Sequence, residues 1–490
     1  MTSKGKLNDM TGWLMTLLGV VGFFCFFQFA HPYHLQHREQ TMLFLSNADW
    51  IAEQYAATQR GWLARMAGDY LQQYFYYVGG GASILAVLLT LIAVVCYKLV
   101  RRLLPDKGWS IITAYVLSIA LTLWEGGREC LPEYPLASSL QVLGWMLLLW
   151  LVSLVRSRIV RCGALIVSLG VGFFLFDVGN MPNTKAWGLP NMQLEHQMAL
   201  DVEASYGHWD KVEQLTEDDQ PYNLDIYYRN LALAHRCALL EGLMERHQNG
   251  MDGIFMPVNE QGNYFLFAAA GEAWWAIGDL TMAEHATLLG MIFSPRHTGT
   301  RCLRRMAEIN MAKGDDMAAM KYLRMLEQTV PHRSWAQAAM AQLKANAEGS
   351  DSRPFPTVTR QQQMQAATDT LRLSTQYHAS LINLLDSNKD NLMAQQYLLA
   401  YDLMLKDMLD FTDDVERCYA VPSCRVLEEA RLIVMASREE LRDAWNSPIQ
   451  ATTWEDFMAF NQAFTQSQGK AQALNARFGR TYWYYSQFAK

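Results

Sequence analysis

Charge is scarce in this sequence. Charged residues fill 18% of its 490 positions, against roughly 25% in ordinary soluble domains. The shortage lies in the first third. Residues 10–180 are dominated by Leu, Val, Phe, Trp and Gly, whereas 190–490 has the mixture of a soluble protein. The mean hydropathy of −0.04 averages over two unlike parts. Basic stripes are also missing, and the formal net charge is −7. Non-specific nucleic-acid binding needs a basic surface to replace phosphate counterions, so no nucleic-acid partner is expected. No phosphate-binding glycine loop is present, and no H-E-x-x-H, G-x-S-x-G or G-x-G-x-x-G. The nucleotide, zinc-protease, serine-hydrolase and dinucleotide chemistries that rest on those motifs have no footing, and no cofactor is expected. Beyond Met192, β-branched runs are few and helical patterns follow one another. The fold class expected is all-α.

Long apolar runs are what the first third does have. A helix needs about twenty apolar residues to cross a bilayer core. The domain 1–180 is therefore expected to hold a bundle of about five transmembrane helices, at 12–30, 79–97, 109–124, 137–155 and 162–178. The third and fifth are short. The first run follows Met-Thr-Ser-Lys-Gly-Lys, as in a signal peptide, but no small-x-small cleavage site follows it. It is expected to be a retained anchor. Lys4 and Lys6, then Lys98, Arg101, Arg102 and Lys107, then Arg156, Arg158 and Arg161 fall on one side of these spans. Positive charge marks the cytoplasmic side. The expectation is a multi-pass protein of the bacterial inner membrane, in contact with the lipid bilayer, with a cytoplasmic N-terminus and a periplasmic or extracytoplasmic C-terminal domain. That side depends on 162–178 being a true span.

The first outer connection is too patterned for a loop. Leu63, Met66, Tyr70 and Tyr74 share one helical face, which predicts surface helices within 34–77. The same segment carries the candidate chemistry. Glu39, Asp69 and Gln73 are candidate catalytic residues, because some membrane glycosyltransferases with lipid-linked donors place an acid in their first outer loop. Acids solvated at the membrane rim are the plainer reading. His31, His34 and His37 recur every three residues, so a helix would align three imidazoles as candidate metal ligands. Polar residues at a membrane boundary are the plainer reading, and no metal is expected.

The second part contains a repeat. Gly271, Gly278, Ala283 and Pro295 match Ala307, Gly314, Ala319 and Pro331, each 36 residues on. Small residues let paired helices approach, Gly ends a helix in the left-handed conformation, and Pro stops the next one. The pattern resembles the tetratricopeptide repeat, whose period is 34, and implies helix pairs over 190–347. A Pro- and Ser-rich linker is expected at 348–360, then a C-terminal helical domain at 361–490, with helices near 361–386, 390–412, 424–444 and 453–476. The aromatic tail Thr-Tyr-Trp-Tyr-Tyr-Ser-Gln-Phe is expected to dock on this domain or to touch the membrane. Cys418 and Cys424 flank a Pro-containing turn and are a candidate disulfide if the domain is extracytoplasmic.

Several stretches carry a wider resemblance. They include PYHLQHREQTMLFL at 32–45, GWLARMAGDYLQQYFYYVGGGAS at 61–83 and RCLRRMAEINMAKGDDMAAMKYLRMLEQT at 301–329. NLMAQQYLLAYDLMLKD at 391–407 and TYWYYSQF at 481–488 extend it nearly end to end. The chain resembles a bacterial membrane family designated domain of unknown function 6057. The resemblance implies a multi-span membrane protein with a helical-repeat domain, and it transfers no catalytic residue. The function expected is a membrane-anchored scaffold binding a protein or peptide partner on the repeats, more binder than enzyme. The rival is an envelope enzyme acting on a lipid-linked substrate through the first outer loop.

Overall fold

The computed structural model describes residues 3–489 apart from 31, 57–60, 104–109, 126–135, 156, 176–190, 218–222, 249, 259–261, 295, 349–354, 368–374 and 438–447. Helices, short 3₁₀ turns and one π turn account for its secondary structure, and no strand occurs among the described residues. The all-α expectation holds. The chain divides into two compact units: Met1–Ala199 with Ser294–Arg304 and Met320–Ser350, and Leu200–Phe293 with Arg305–Ala319 and Asp351–Lys490.

The first unit begins with α1 (Ser3–Ala30), α2 (Pro32–Gln40), α3 (Ala48–Ile51) and α4 (Trp62–Gln72). Next come α5 (Gly80–Leu103), α6 (Ser110–Glu125), α7 (Ala137–Ser153) and α8 (Arg158–Leu175). α5 is central and packs on α1, α6 and α7. Phe23, Phe27, Leu85, Leu89, Ile92 and Leu121 form the core between them. The three glycines at the start of α5, Gly79 just before it and Gly80 and Gly81 in its first turn, have separate tasks. Gly79 takes a left-handed φ of +75°, and Gly80 lies so near the Tyr74 carbonyl that a Cβ would stand 2.2 Å from it. Gly81 admits Leu35 and Phe75. The outer faces of α1 and α8 leave Trp13, Leu17, Phe29, Ile159 and Ile166 exposed. Several large apolar side chains exposed along one helix mark a face that meets something other than water.

The expectation of five spans is only partly met. Among the described residues two helical segments are long and apolar enough to cross a membrane, Gly12–Ala30 and Gly80–Arg102. Ala114–Leu123 and Ala137–Ser153 are shorter apolar helices. The expected fifth span, 162–178, lies within α8 up to Leu175 and then passes beyond the described residues.

Helical hairpins build the rest. They use α9 (Met192–Ser205), α10 (Trp209–Leu215), α11 (Asn223–His235), α12 (Leu239–Gly242), α13 (Tyr264–Ile277) and α14 (Leu280–Phe293). α15 (Thr300–Lys313), α16 (Asp316–Glu327) and α17 (Arg333–Ala347) follow. Gly278 and Gly314 both sit at left-handed φ, +98° and +76°. After each, the aspartate N–H reaches back five residues, Asp279 to the Trp274 carbonyl at 3.1 Å and Asp315 to the Asn310 carbonyl at 2.9 Å. This is the Schellman closure of a helix end. The same aspartates then cap the next helix: Asp279 accepts from the Met282 N–H at 3.0 Å and Asp315 from the Ala318 N–H at 2.9 Å. Gly-Asp is thus a complete corner, ending one helix and starting another. Ala283, Ala307 and Ala319 are fully buried. Pro331 lies in the turn before α17, and Pro295 is outside the described residues.

Helix intrudes on the expected 348–360 linker: its 349–354 stretch is outside the described residues, and the chain is helical again from Pro356. The helices are α18 (Pro356–Met364), α19 (Tyr377–Ser387), α20 (Leu392–Leu405), α21 (Met408–Arg417), α22 (Arg425–Ser437), α23 (Ala451–Gln466), α24 (Ala471–Phe478) and α25 (Tyr482–Phe488). Three expected single helices are each two, among them the one at 361–386, where α18 ends at Met364 and α19 begins at Tyr377. The one at 390–412 turns at Lys406, φ +62°, and the one at 453–476 turns at Gln468, φ +54°. At the first, the Asp407 N–H closes on the Asp402 carbonyl at 3.0 Å and the Asp407 side chain caps α21. The corner matches that of the Gly-Asp pairs, with lysine in the glycine's place.

The expected Cys418–Cys424 disulfide is not formed, and both are free thiols. Cys418 is buried, with Sγ directed at the Gln395 carbonyl 3.5 Å away. Cys424 lies at the start of α22, where its thiol takes the backbone N–H groups of Val426 and Leu427. Each sulfur is held by its own local partners. Of the two expectations for the aromatic tail, docking holds: Tyr482, Trp483 and Tyr485 are buried in the second unit.

Candidate functional site

The candidate residues of the 31–78 segment all belong to the first unit, and so do the 294–304 and 320–350 segments that meet them. α2 opens against a carboxylate. Glu195 Oε1 accepts from the Tyr33 N–H at 2.8 Å, and Oε2 from the His34 N–H at 3.2 Å. An acid there satisfies amide groups that the first helical turn leaves without intrahelical partners. Asn47 caps α3, and Gly61, at φ +78°, begins α4. Met42, Phe44 and Tyr55 form a small apolar core with Trp50, Ile51 and Met66 packed on it.

Every candidate acid in this layer that the sequence singled out is buried and engaged. Glu39 is 1% exposed. Its Oε1 accepts from the Thr300 hydroxyl at 3.0 Å and lies 3.3 Å from His332 Nε2. Asp69 is fully buried. Its Oδ2 accepts from the Tyr55 hydroxyl at 2.5 Å and forms an ion pair with the Arg296 guanidinium. Gln73 accepts the Val330 N–H at 2.8 Å. Backbone contacts run alongside. The Thr300 N–H donates to the Met42 carbonyl at 3.0 Å, and the Ser294 hydroxyl to the Thr41 carbonyl at 2.9 Å. Gly299 passes so close that a Cβ would stand 2.6 Å from the Gln40 carbonyl oxygen.

Electrostatics agree with a sealed joint. Burial pushes the Asp69 carboxyl up from its ordinary value, while Arg296 and the Tyr55 hydrogen bond pull it back. Burial, then the Asp69 charge, pushes the Tyr55 phenol up. Burial works against the Arg296 charge, and Asp69 and Tyr55 more than offset it, so the guanidinium stays charged. A general acid or base must reach its substrate's proton. Glu39, Asp69 and Gln73 instead close three separate contacts. They are brought into one layer and not into one cleft.

His34 and His37 are buried in α2, and His31 is outside the described residues. The one group of three metal-capable side chains among the described residues includes neither of them. Sequence reasoning missed Glu195, Arg296, Thr300 and His332. The loop that holds two of them, Arg296-His-Thr-Gly-Thr300, is polar and carries the glycine of close approach, but nothing in it names a partner more than two hundred residues earlier.

The family model described as a family of unknown function, DUF6057, matches residues 7–182 and 176–489. The chain belongs to that family. No curated protein and no solved structure matches it. The buried joint of this DUF6057 member links residues from both matched stretches, Glu39 and Asp69 in the first with Arg296, Thr300 and His332 in the second.

Proposed function

We propose that this chain is a multi-pass membrane anchor carrying a helical-repeat scaffold, which docks a protein or peptide partner in the bacterial cell envelope. The anchor reading adds the shorter apolar helices α6, α7 and α8 to the two long ones as spans, since a bilayer thins or tilts a helix to accommodate mismatch. The basic connections put the N-terminus in the cytoplasm, and five crossings put the repeats on the periplasmic side. A cavity of about 660 Å³ supports that assignment. It has apolar walls, including Trp13, Leu91 and Ala114, and a rim of Lys98, Arg101 and Arg102. A basic rim on an apolar cleft suits the anionic cytoplasmic leaflet. The matched corners at Gly278 and Gly314 support the tetratricopeptide-like reading, and stacked helix pairs of that kind offer concave docking surfaces.

The observation that carries the scaffold over the enzyme is the burial of Glu39, Asp69 and Gln73, each engaged by a different partner. An enzyme working on a lipid-linked donor through this segment would need Glu39 or Asp69 open to the substrate. Glu39→Gln keeps the size of the side chain and removes its charge. It is expected to weaken the contacts of residue 39 with Thr300 and His332 by about 1–3 kcal/mol and to leave any turnover of a lipid-linked sugar by purified protein at its wild-type level. Abolished turnover with undiminished thermal stability would turn the reading toward the enzyme. Reporter fusions after residue 190 and at the C-terminus test the anchor. Activity confined to a periplasmic reporter is expected at both points, and a cytoplasmic signal at either would reverse the assigned orientation.

A further inference from the structure

Three helices of the second unit converge on one point. α19 supplies His378 from its first turn, α20 supplies Asp402 near its end, and α21 supplies Asp414. Their ligand atoms all lie within 4.8 Å of one another. His378 Nε2 is 2.7 Å from Asp414 Oδ2. Asp402 differs from every other acid discussed above. It has no exposed surface, and both its carboxylate oxygens are buried without a hydrogen bond. A buried carboxylate in that condition is costly unless it is neutralised or meets a cation. The charges around it are the wrong ones to help, since Asp407, Asp410 and Asp414 all bear on it. The guanidinium of Arg417 turns to Asp414, with Nε 3.6 Å from Oδ1.

We propose that His378, Asp402 and Asp414 form a binding site for a divalent transition-metal cation, with zinc(II) as the occupant. Two carboxylates and a neutral imidazole balance a divalent charge. One nitrogen and two oxygens suit zinc, whereas calcium takes six to eight oxygens, and magnesium needs octahedral oxygen and several retained waters. Copper(I) prefers soft sulfur, which this donor set lacks. Three protein ligands leave a fourth position for water. His378 is one-third exposed at its side chain, which gives the ion a path in. Around a tetrahedral ion with bonds of about 2.0–2.1 Å, ligand atoms stand roughly 3.3 Å apart. The His378–Asp414 pair therefore opens by a few tenths of an ångström as the ion enters. Without the ion, burial and the neighbouring acids push Asp402 up to about 9, so it holds a proton that the metal displaces. The bound ion would fasten the Lys406 corner, which joins α20 and α21, to α19. None of this rests on the scaffold reading.

The test uses the full chain in detergent, freed of any affinity tag that binds metal and stripped with a chelator. Titration with zinc chloride is expected to give equimolar uptake by elemental analysis and a rise in melting temperature that the chelator reverses. Asp402→Asn keeps the shape of the side chain and is expected to weaken zinc binding at least tenfold. His378→Gln, on a partly exposed side chain, should do the same and carries the test if the first variant folds poorly. Wild-type protein that takes up no zinc overturns the proposal, as does Asp402→Asn or His378→Gln protein binding zinc with wild-type affinity. Uptake of manganese to the exclusion of zinc overturns the choice of metal.

Discussion

Arg296→Ala is expected to destabilise the α2–α4 layer of the first unit by about 3–5 kcal/mol, the usual cost of leaving a buried charge without its partner. Asp69 is fully buried, and Arg296 is its ion-pair partner at the same oxygen that receives the Tyr55 hydroxyl. A chain of two units has no single unfolding free energy, so the effect should be read locally. Amide hydrogen exchange in α4 reports opening of the layer directly. At 1.4 kcal/mol per decade, exchange there should quicken by roughly two to three and a half decades. A triple variant, Arg296→Met with Asp69→Leu and Tyr55→Phe, removes the whole polar group together and is expected to lose less than Arg296→Ala alone, since an apolar replacement strands no charge. Exchange in Arg296→Ala protein within a few-fold of wild type would show that the pair does not hold this layer.

Trp483→Ala should be comparably severe in the second unit, about 3–5 kcal/mol for loss of a buried indole. The ring is 1% exposed and packs on Phe457 at 5.3 Å and Phe460 at 5.9 Å between centroids. Its Nε1 donates to the Glu429 carbonyl at 3.0 Å. The Glu429 side chain accepts the Tyr482 N–H at 2.6 Å, so one residue of α22 holds the tail at two points. Tyr482 and Tyr485 add hydroxyl bonds to the Leu403 and Met404 carbonyls, both at 3.0 Å. The expected readout is much faster amide exchange across α22 and α25, with α4 unchanged because it belongs to the other unit. A tail serving the membrane surface would instead leave exchange in α22 intact and weaken vesicle binding.

Much of this was legible where a single residue type forces a conformation. The runs 12–30 and 79–97 are apolar over bilayer length and became α1 and the core of α5. Gly278 and Gly314 marked corners because φ near +80° favours glycine over any side chain. Corners at Cys237 and Lys406 gave no such sign, because tertiary packing imposes the same backbone on ordinary residues. That is why 390–412 read as one helix. Glu39, Asp69 and Gln73 stood out as polar residues in an apolar setting, and they are important to the layer. Their role was not readable, because Arg296 is 227 residues from Asp69 and His332 is 293 from Glu39. Periodicity reports which face of a helix is buried and is silent on what covers it. The Cys418–Cys424 spacing suited a bridge, but spacing cannot show that one sulfur points into the core.

The interleaving of the two units has a consequence during synthesis. Residues 32–78 emerge early, yet the side chains that complete their layer follow 253 residues later at Ser294 and 293 later at His332. At roughly 5–20 residues per second, that is a delay on the order of ten to sixty seconds. For that interval a nascent chain holds Glu39 without Thr300 and His332, and Asp69 without the Arg296 guanidinium. Ribosome-bound chains halted before residue 294 should therefore be the species that holding chaperones and surveillance proteases grip most firmly, and release should follow once the codon for His332 has been read and its product has cleared the exit tunnel.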